Sequence, residues 1–227
     1  MNSLSSKDSI SQKAANEVFE LVKSKPDFNL GLPTGRTPDL FYKHLVELSR
    51  KNQVDWSKAR FFGLDEYREV DSDKTFKFYL EKYIYKPLNI EPAQCFTPLE
   101  TDNYDKLIEE VGGLDLTILG IGKNGHIAFN EPPANELSWT HSVWLHPSTR
   151  EANKDFFDSI EVVPRKAVTM GIQTLLSSKR TILLAFGEKK KAILDKALHG
   201  PIDSNIPASF LQKHKNLSVF TDFEFSP

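Results

Sequence analysis

DLTILGIGKNGHIAFNEP, residues 115–132, is the stretch from which this chain is best read. Its first eight residues, 115–122, are nearly all apolar and end on glycine, the pattern of a fully buried strand. Gly120, Gly122 and Gly125 then fall in the G-x-G-x-x-G spacing of a dinucleotide-binding turn. That turn needs a helix opening at its third glycine and an acidic residue about 20 residues on, at the end of the next strand. Pro132 and Pro133 instead interrupt the chain soon after Gly125, and the later window THSVWLHP holds no acid. No Gly-Lys-Ser/Thr follows, so a P-loop is excluded as well. What remains is a strand end carrying Asn124, His126 and Glu131 within eight residues. A histidine takes and returns protons near neutral pH, and a neighbouring carboxylate fixes its tautomer and stabilises its charged form. The competing reading is a capped loop whose histidine makes one structural hydrogen bond. A metal site is disfavoured, because no second histidine or cysteine lies at ligand spacing.

Outward from this strand, helical and strand patterns alternate. Residues 7–24 have Ile10, Ala14, Val18, Leu21 and Val22 at helical spacing, and NLGLP (29–33) is a short apolar strand. PDLFYKHLVELSR (38–50) reads as a helix with proline at its start, ARFFGLD (59–65) as a buried strand, and KTFKFYLEKYIY (74–85) as a helix. A helix is expected over 164–177, a strand at TILLAFG (181–187), a helix over 188–198, a short helix at PASFLQKH (207–214) and a last strand at LSVFTD (217–222). Apolar strands alternating with helices predict an α/β fold: a Rossmann-like three-layer αβα arrangement with a mostly parallel central sheet. Residues 1–227 read as a single domain, without repeats, low-complexity segments or a long linker.

Composition narrows the function classes. Lys+Arg number 29 against 31 Asp+Glu, a formal charge of −2, so no broad nucleic-acid-binding face is expected and any anion site must be local. The polar N-terminus does not resemble a signal peptide, and no window approaches the ~18 apolar residues of a membrane helix. Cys95 is the single cysteine, so no internal disulfide forms and a reducing, cytoplasmic setting fits.

In an open parallel sheet, ligands bind beyond the carboxyl ends of the strands. Two more loops at such ends carry unusual residues. GLPTGRTP (31–38) joins a strand to a helix through Thr34, Gly35, Arg36 and Thr37; amide N–H groups, hydroxyls, the helix dipole and a guanidinium all favour phosphate there. GLDEY (63–67) places Asp65 and Glu66 at a strand end, where a carboxylate suits a general base beside a carbonyl, or a simple N-cap.

Together these loops resemble the glucosamine-6-phosphate deaminase family. GLPTGRTP, GLDEY, GIGKNGHIAFNEP, AVTMGIQTLL, LAFGEKKKAI and PASFLQKHKN occur in that family's order, over about residues 28–222. The resemblance implies a deaminating aldose–ketose isomerase that needs no cofactor or metal and takes glucosamine 6-phosphate to fructose 6-phosphate and ammonia. It implies Asp65 as the base moving a proton between C2 and C1, and His126 as the group opening the sugar ring. Glu131 would orient and charge-stabilise His126, with Asn124 as the third ring-opening residue, where many members carry aspartate. Substrate contacts would come from Thr34, Gly35, Arg36, Thr37, Glu66, Gly120, Ala128 and Lys190. The related 6-phosphogluconolactonases share the fold but usually carry Asp-Glu-Arg where this chain has Asp65–Glu66–Tyr67. Galactosamine 6-phosphate as substrate, lactone hydrolysis, and a sugar-phosphate sensor without turnover are the alternative functions.

Two departures stand out. In the family a lid segment, here 145–164, carries a phosphate-binding arginine; this chain has Asp155 at that position and Arg36 where many members have glycine or serine. The expectation is an exchange, with Arg36 supplying the guanidinium and Arg150 or Lys154 as fallbacks. Hexameric members use two basic residues for allosteric activation, and His141 and Val143 stand at those positions here. A monomer or small homo-oligomer without such activation is expected.

Overall fold

The computed structural model describes residues 6–225; the outermost residues of the expected domain lie outside them. The central sheet has six strands in the order β4-β2-β1-β5-β8-β9: β1 (Asn29–Leu32), β2 (Arg60–Gly63), β4 (Cys95–Phe96), β5 (Leu116–Gly120), β8 (Thr181–Ala185) and β9 (Leu217–Thr221), all parallel. Alternating side chains on these strands feed two cores. Leu30, Leu32, Leu116, Ile118, Ile182 and Leu184 pack with α1 (Lys7–Ser24) and α2 (Asp39–Lys51) on one face. Phe62, Leu119, Leu183 and Ala185 pack with α5 (Tyr104–Glu110), α7 (Ile172–Leu176) and α8 (Lys191–His199) on the other. Helices cover both faces, which is why the strands read as continuous apolar runs rather than alternating ones. Cys95 lies in the first core, where burial pushes its thiol up to about 12, far from nucleophilic use. Among the described residues no helix is long and apolar enough to cross a membrane.

A second, three-stranded antiparallel sheet departs from the sequence reading. It comprises β3 (Asp65–Tyr67), β7 (Lys166–Thr169) and β6 (His141–Trp144), with β7 in the middle. ARFFGLD is therefore not one strand: β2 ends at Gly63, and Asp65 opens β3 in the other sheet. The single helix expected over 164–177 is instead β7 followed by the five-residue α7. Ala167, Val168 and Thr169 are all buried, and β7 pairs with a strand on either side. Gly171 sits between the two elements, and a Cβ there would meet the Ser138 carbonyl oxygen at 2.1 Å. KTFKFYLEKYIY is helical as read, though in pieces: α3 (Phe76–Leu80), a π-turn over Glu81–Tyr85 and α4 (Lys86–Leu88). The turn widens ahead of Pro87, which has no N–H to donate.

The segment between β6 and β7 is the expected lid. Leu145 N–H donates to the Arg165 carbonyl at 2.8 Å and closes its base. Between these residues the chain forms α6 (Pro147–Asn153) and a 3-10 turn over Lys154–Phe156.

Candidate active site

A cavity of about 1070 Å³ opens beyond the carboxyl ends of β1 and β5. Its walls are the 34–37 loop, Asp65, the 120–128 loop, Lys190 and the lid from Ser148 to Phe156. Ten of the twelve residues expected at the site line it; Glu66 and Glu131 lie behind it.

The 34–37 loop turns at Gly35, whose φ of 92° lies in the left-handed region that glycine enters without steric cost. The Tyr79 hydroxyl lies 2.9 Å from the Gly35 carbonyl oxygen and also contacts the Asp39 carboxylate. Lys7 Nζ donates to the Arg36 carbonyl at 3.0 Å. These ties hold the loop beside the start of α2, where helix N–H groups lack intrahelical partners. Lys190 Nζ donates to the Ile121 carbonyl at 2.6 Å. Burial, then the charge of Lys123, pushes the Lys190 ammonium down to about 8.

Asp65 is 8% exposed. Burial, then the Glu66 charge, pushes its carboxyl up to about 8. Glu66 was expected at the substrate, but it does not line the cavity. Its carboxylate accepts from the backbone N–H groups of Tyr67, Phe76 and Lys77, each at 2.8 Å, and the residue is 2% exposed. It fastens the start of α3 to β3.

The histidine loop is built by close approaches. A Cβ on Gly122 would lie 2.3–2.5 Å from the His126 ring, so the second glycine of the fingerprint makes room for the imidazole. Gly125 has φ 85°, and a Cβ there would meet Ile206 at 2.8 Å. Of the fingerprint glycines, Gly120, beside Thr37, and Gly122 line the cavity, while Gly125 is buried. Asn124 Oδ1 sits 2.6 Å from His126 Nδ1, and Asn124 Nδ2 donates to Glu131 Oε2 at 2.9 Å. The carboxylate needs a donor, which sets the amide's orientation; the amide oxygen then accepts from Nδ1–H, leaving Nε2 free for a ligand. Glu131 Oε2 also lies 3.5 Å from Nδ1 directly. Burial alone would raise the Glu131 carboxyl, but His126, aided by neighbouring hydrogen-bond donors, holds it down at about 2.

Two residues that the sequence reading gave no role pin this loop. Asn130 Nδ2 donates to the Ile127 and Met170 carbonyls at 3.0 and 2.8 Å, and Phe129 N–H donates to Thr169 Oγ1 at 3.0 Å. Between them Ala128 is held at φ 49°, a conformation few non-glycine residues adopt. Thr169 was hidden by reading β7 as helix; Asn130 stood in plain view between His126 and Pro132.

On the lid, Arg36 is ion-paired with Asp155, and its guanidinium lies 5.7 Å from the Phe156 ring centroid. The two fallback cations do not line the cavity. Arg150 donates to the Ile160 and Val163 carbonyls at 2.6 and 2.9 Å, and Lys154 pairs with Glu151.

Residues 5–220 match the sequence profile of the glucosamine-6-phosphate isomerases/6-phosphogluconolactonase family. The chain belongs to this family. It is 41% identical over 225 residues to a glucosamine-6-phosphate deaminase of Lachnoclostridium phytofermentans, covering 95% of both chains. It is 39% identical over 227 residues to glucosamine-6-phosphate deaminase 1 of Bacillus subtilis, covering 96% of this chain and 94% of that one. Among solved structures it resembles a monomeric glucosamine-6-phosphate deaminase at 38% identity and a TM-score of 0.91, over 96% of this chain and 94% of the other. A 6-phosphogluconolactonase from Thermotoga maritima superposes with a TM-score of 0.73 at 22% identity, covering 95% and 94% of the two chains; that likeness concerns the fold.

Proposed function

We propose that the protein is a glucosamine-6-phosphate deaminase, converting glucosamine 6-phosphate and water to fructose 6-phosphate and ammonia. The observation that carries the reading is the shared cavity: buried Asp65, the His126–Asn124–Glu131 chain and the 34–37 loop with Lys190 all serve one space. The relatives named deaminase, near 40% identical over almost their whole length, support the same reaction over lactone hydrolysis.

In this reading the phosphate binds at Thr34, Gly35, Arg36 and Thr37 with Lys190, and the sugar lies against Gly120 and Ala128. His126 takes the C1 hydroxyl proton at Nε2 and passes it to the ring oxygen as the ring opens, and Glu131 stabilises the charge on the imidazole in between, through Asn124. Ionised Asp65 takes the proton from C2 and returns it to C1, turning the 2-amino aldose into a ketose imine. Water adds to the imine carbon and ammonia leaves, giving the ketose phosphate. Asp65's burial suits this step, since a carboxylate poorly solvated in its charged form is a stronger base. A monomer is the assembly in this reading, as in the structural relative, and the cytoplasm its setting.

Ammonia release from glucosamine 6-phosphate and galactosamine 6-phosphate, with 6-phosphogluconolactone hydrolysis measured beside it, tests the reading. Ammonia from glucosamine 6-phosphate is expected. Release from neither amine overturns it, and lactone hydrolysis alone would reassign the site.

A further inference from the structure

Thr149, on the lid helix α6, lines the cavity and is 3% exposed. Its Oγ1 is buried without a hydrogen-bond partner among the described residues, and so is Oε1 of Glu131. The two orphans are complementary: an ionised carboxylate only accepts, and a hydroxyl has a proton to donate. They are also neighbours. The Thr149 hydroxyl is one of the groups that keep Glu131 acidic against the effect of burial, behind the larger contribution of His126. Glu131 is otherwise held through one oxygen, Oε2, by Asn124 and His126. A carboxylate fixed at one oxygen is free to rotate about that contact; a donor on the other oxygen sets its plane. Because position 124 is an amide in this chain, Glu131 is the carboxylate within reach of His126, and its orientation has no second charge behind it.

We propose that Thr149 is a positioning residue for ring opening: its hydroxyl donates to Glu131 Oε1 as the lid seats over bound substrate, coupling the lid to the His126–Asn124–Glu131 chain. The inference rests on the roles proposed above for His126 and Glu131. It gives the lid a part in the chemistry besides covering the phosphate, since a lid held open withdraws the donor.

The test is a double-mutant cycle with Thr149→Val, which keeps the shape and removes the hydroxyl, and Glu131→Gln. Thr149→Val is expected to lower kcat for ammonia release about tenfold with KM within about twofold, and Thr149→Ser to retain at least about half the wild-type kcat. In the Glu131→Gln background the valine should change kcat less than about twofold. An equal loss in both backgrounds would make Thr149 a packing residue, and an unchanged kcat in Thr149→Val would dispose of the idea directly. Urea unfolding of the same four proteins, each saturated with fructose 6-phosphate to seat the lid, needs no turnover: the midpoint shifts should be non-additive, and additive shifts overturn the contact. A wild type that releases no ammonia overturns the reaction itself, and the unfolding cycle then judges the contact alone.

Discussion

Arg36, on the loop after β1, is ion-paired with Asp155 on the lid, and both line the same cavity. The pair joins the proposed phosphate loop to the segment that covers it. Both side chains are more than half exposed, so their attraction is weak and screened. A phosphate dianion offers the guanidinium a bidentate partner of higher charge. Asp155 is then a competitor that substrate displaces. Arg36→Ala should raise KM for glucosamine 6-phosphate about tenfold, and Asp155→Ala should lower it about threefold, both with kcat little changed. A rise in KM for Asp155→Ala would show that the aspartate serves the lid rather than occupying the phosphate's place.

Asp65 is where stability and activity pull apart. Its folded carboxyl titrates near 8, above the ordinary carboxylate value, so the folded state binds the extra proton. By linkage this contribution is fully present at pH below about 4 and is lost as pH rises toward 8. Asp65→Asn should therefore raise Tm at pH 9 by about 4 °C or more and leave it nearly unchanged at pH 4. The same variant should lose about a thousandfold or more in kcat while still binding a substrate analogue. A Tm difference independent of pH would contradict the burial of an ionisable carboxylate at this position.

Gly122 makes a prediction that the fingerprint reading alone would not. A methyl group there would overlap the His126 ring at 2.3–2.5 Å, so Gly122→Ala should displace the imidazole from Asn124. We expect kcat to fall about a hundredfold or more, with phosphate affinity retained, because the 34–37 loop lies elsewhere on the cavity wall. Inorganic phosphate inhibition measures the second part. Wild-type kcat in Gly122→Ala would mean that the loop relaxes and that ring packing does not set the chemistry.

Five of the six parallel strands were legible because each is short, apolar and bounded by turn residues, and the ligand loops follow from where such strands end; β4, two residues at the sheet edge, was not read. The small antiparallel sheet was not. Its strands β3 and β7 are only three and four residues long, and they are stabilised by partners distant in sequence, as Asp65 is by Thr169. Val168, Ile172 and Leu175 also satisfy the i, i+4, i+7 spacing of a helix, so periodicity could not separate a strand plus a short helix from one helix. The acid, the histidine and the phosphate loop were visible as residue types in unusual places. The inward supports, such as Asn130, Thr169 and the amide contacts of Glu66, depend on tertiary geometry that local sequence does not encode.

Asn124 carries the last prediction. Its amide donates to Glu131 at 2.9 Å and accepts from His126 at 2.6 Å, so it relays a hydrogen bond between a carboxylate and an imidazole without adding charge. Asn124→Asp replaces the donor facing Glu131 with a second acceptor. Two carboxylates at that distance do not both ionise readily, so one of the pair takes up a proton and the apparent carboxyl value rises from the present value of about 2. Below that raised value the variant has the wild type's charge but a disturbed contact; above it, both groups are ionised and stabilise the imidazolium more strongly. The ratio of variant to wild-type kcat should therefore climb by about threefold or more between pH 5 and pH 8. Asn124→Ala, which breaks the relay without adding charge, should lower kcat about tenfold at every pH in that range. Steady-state ammonia release across the range measures both, and a flat ratio for Asn124→Asp would mean that the relay through position 124 does not govern ring opening.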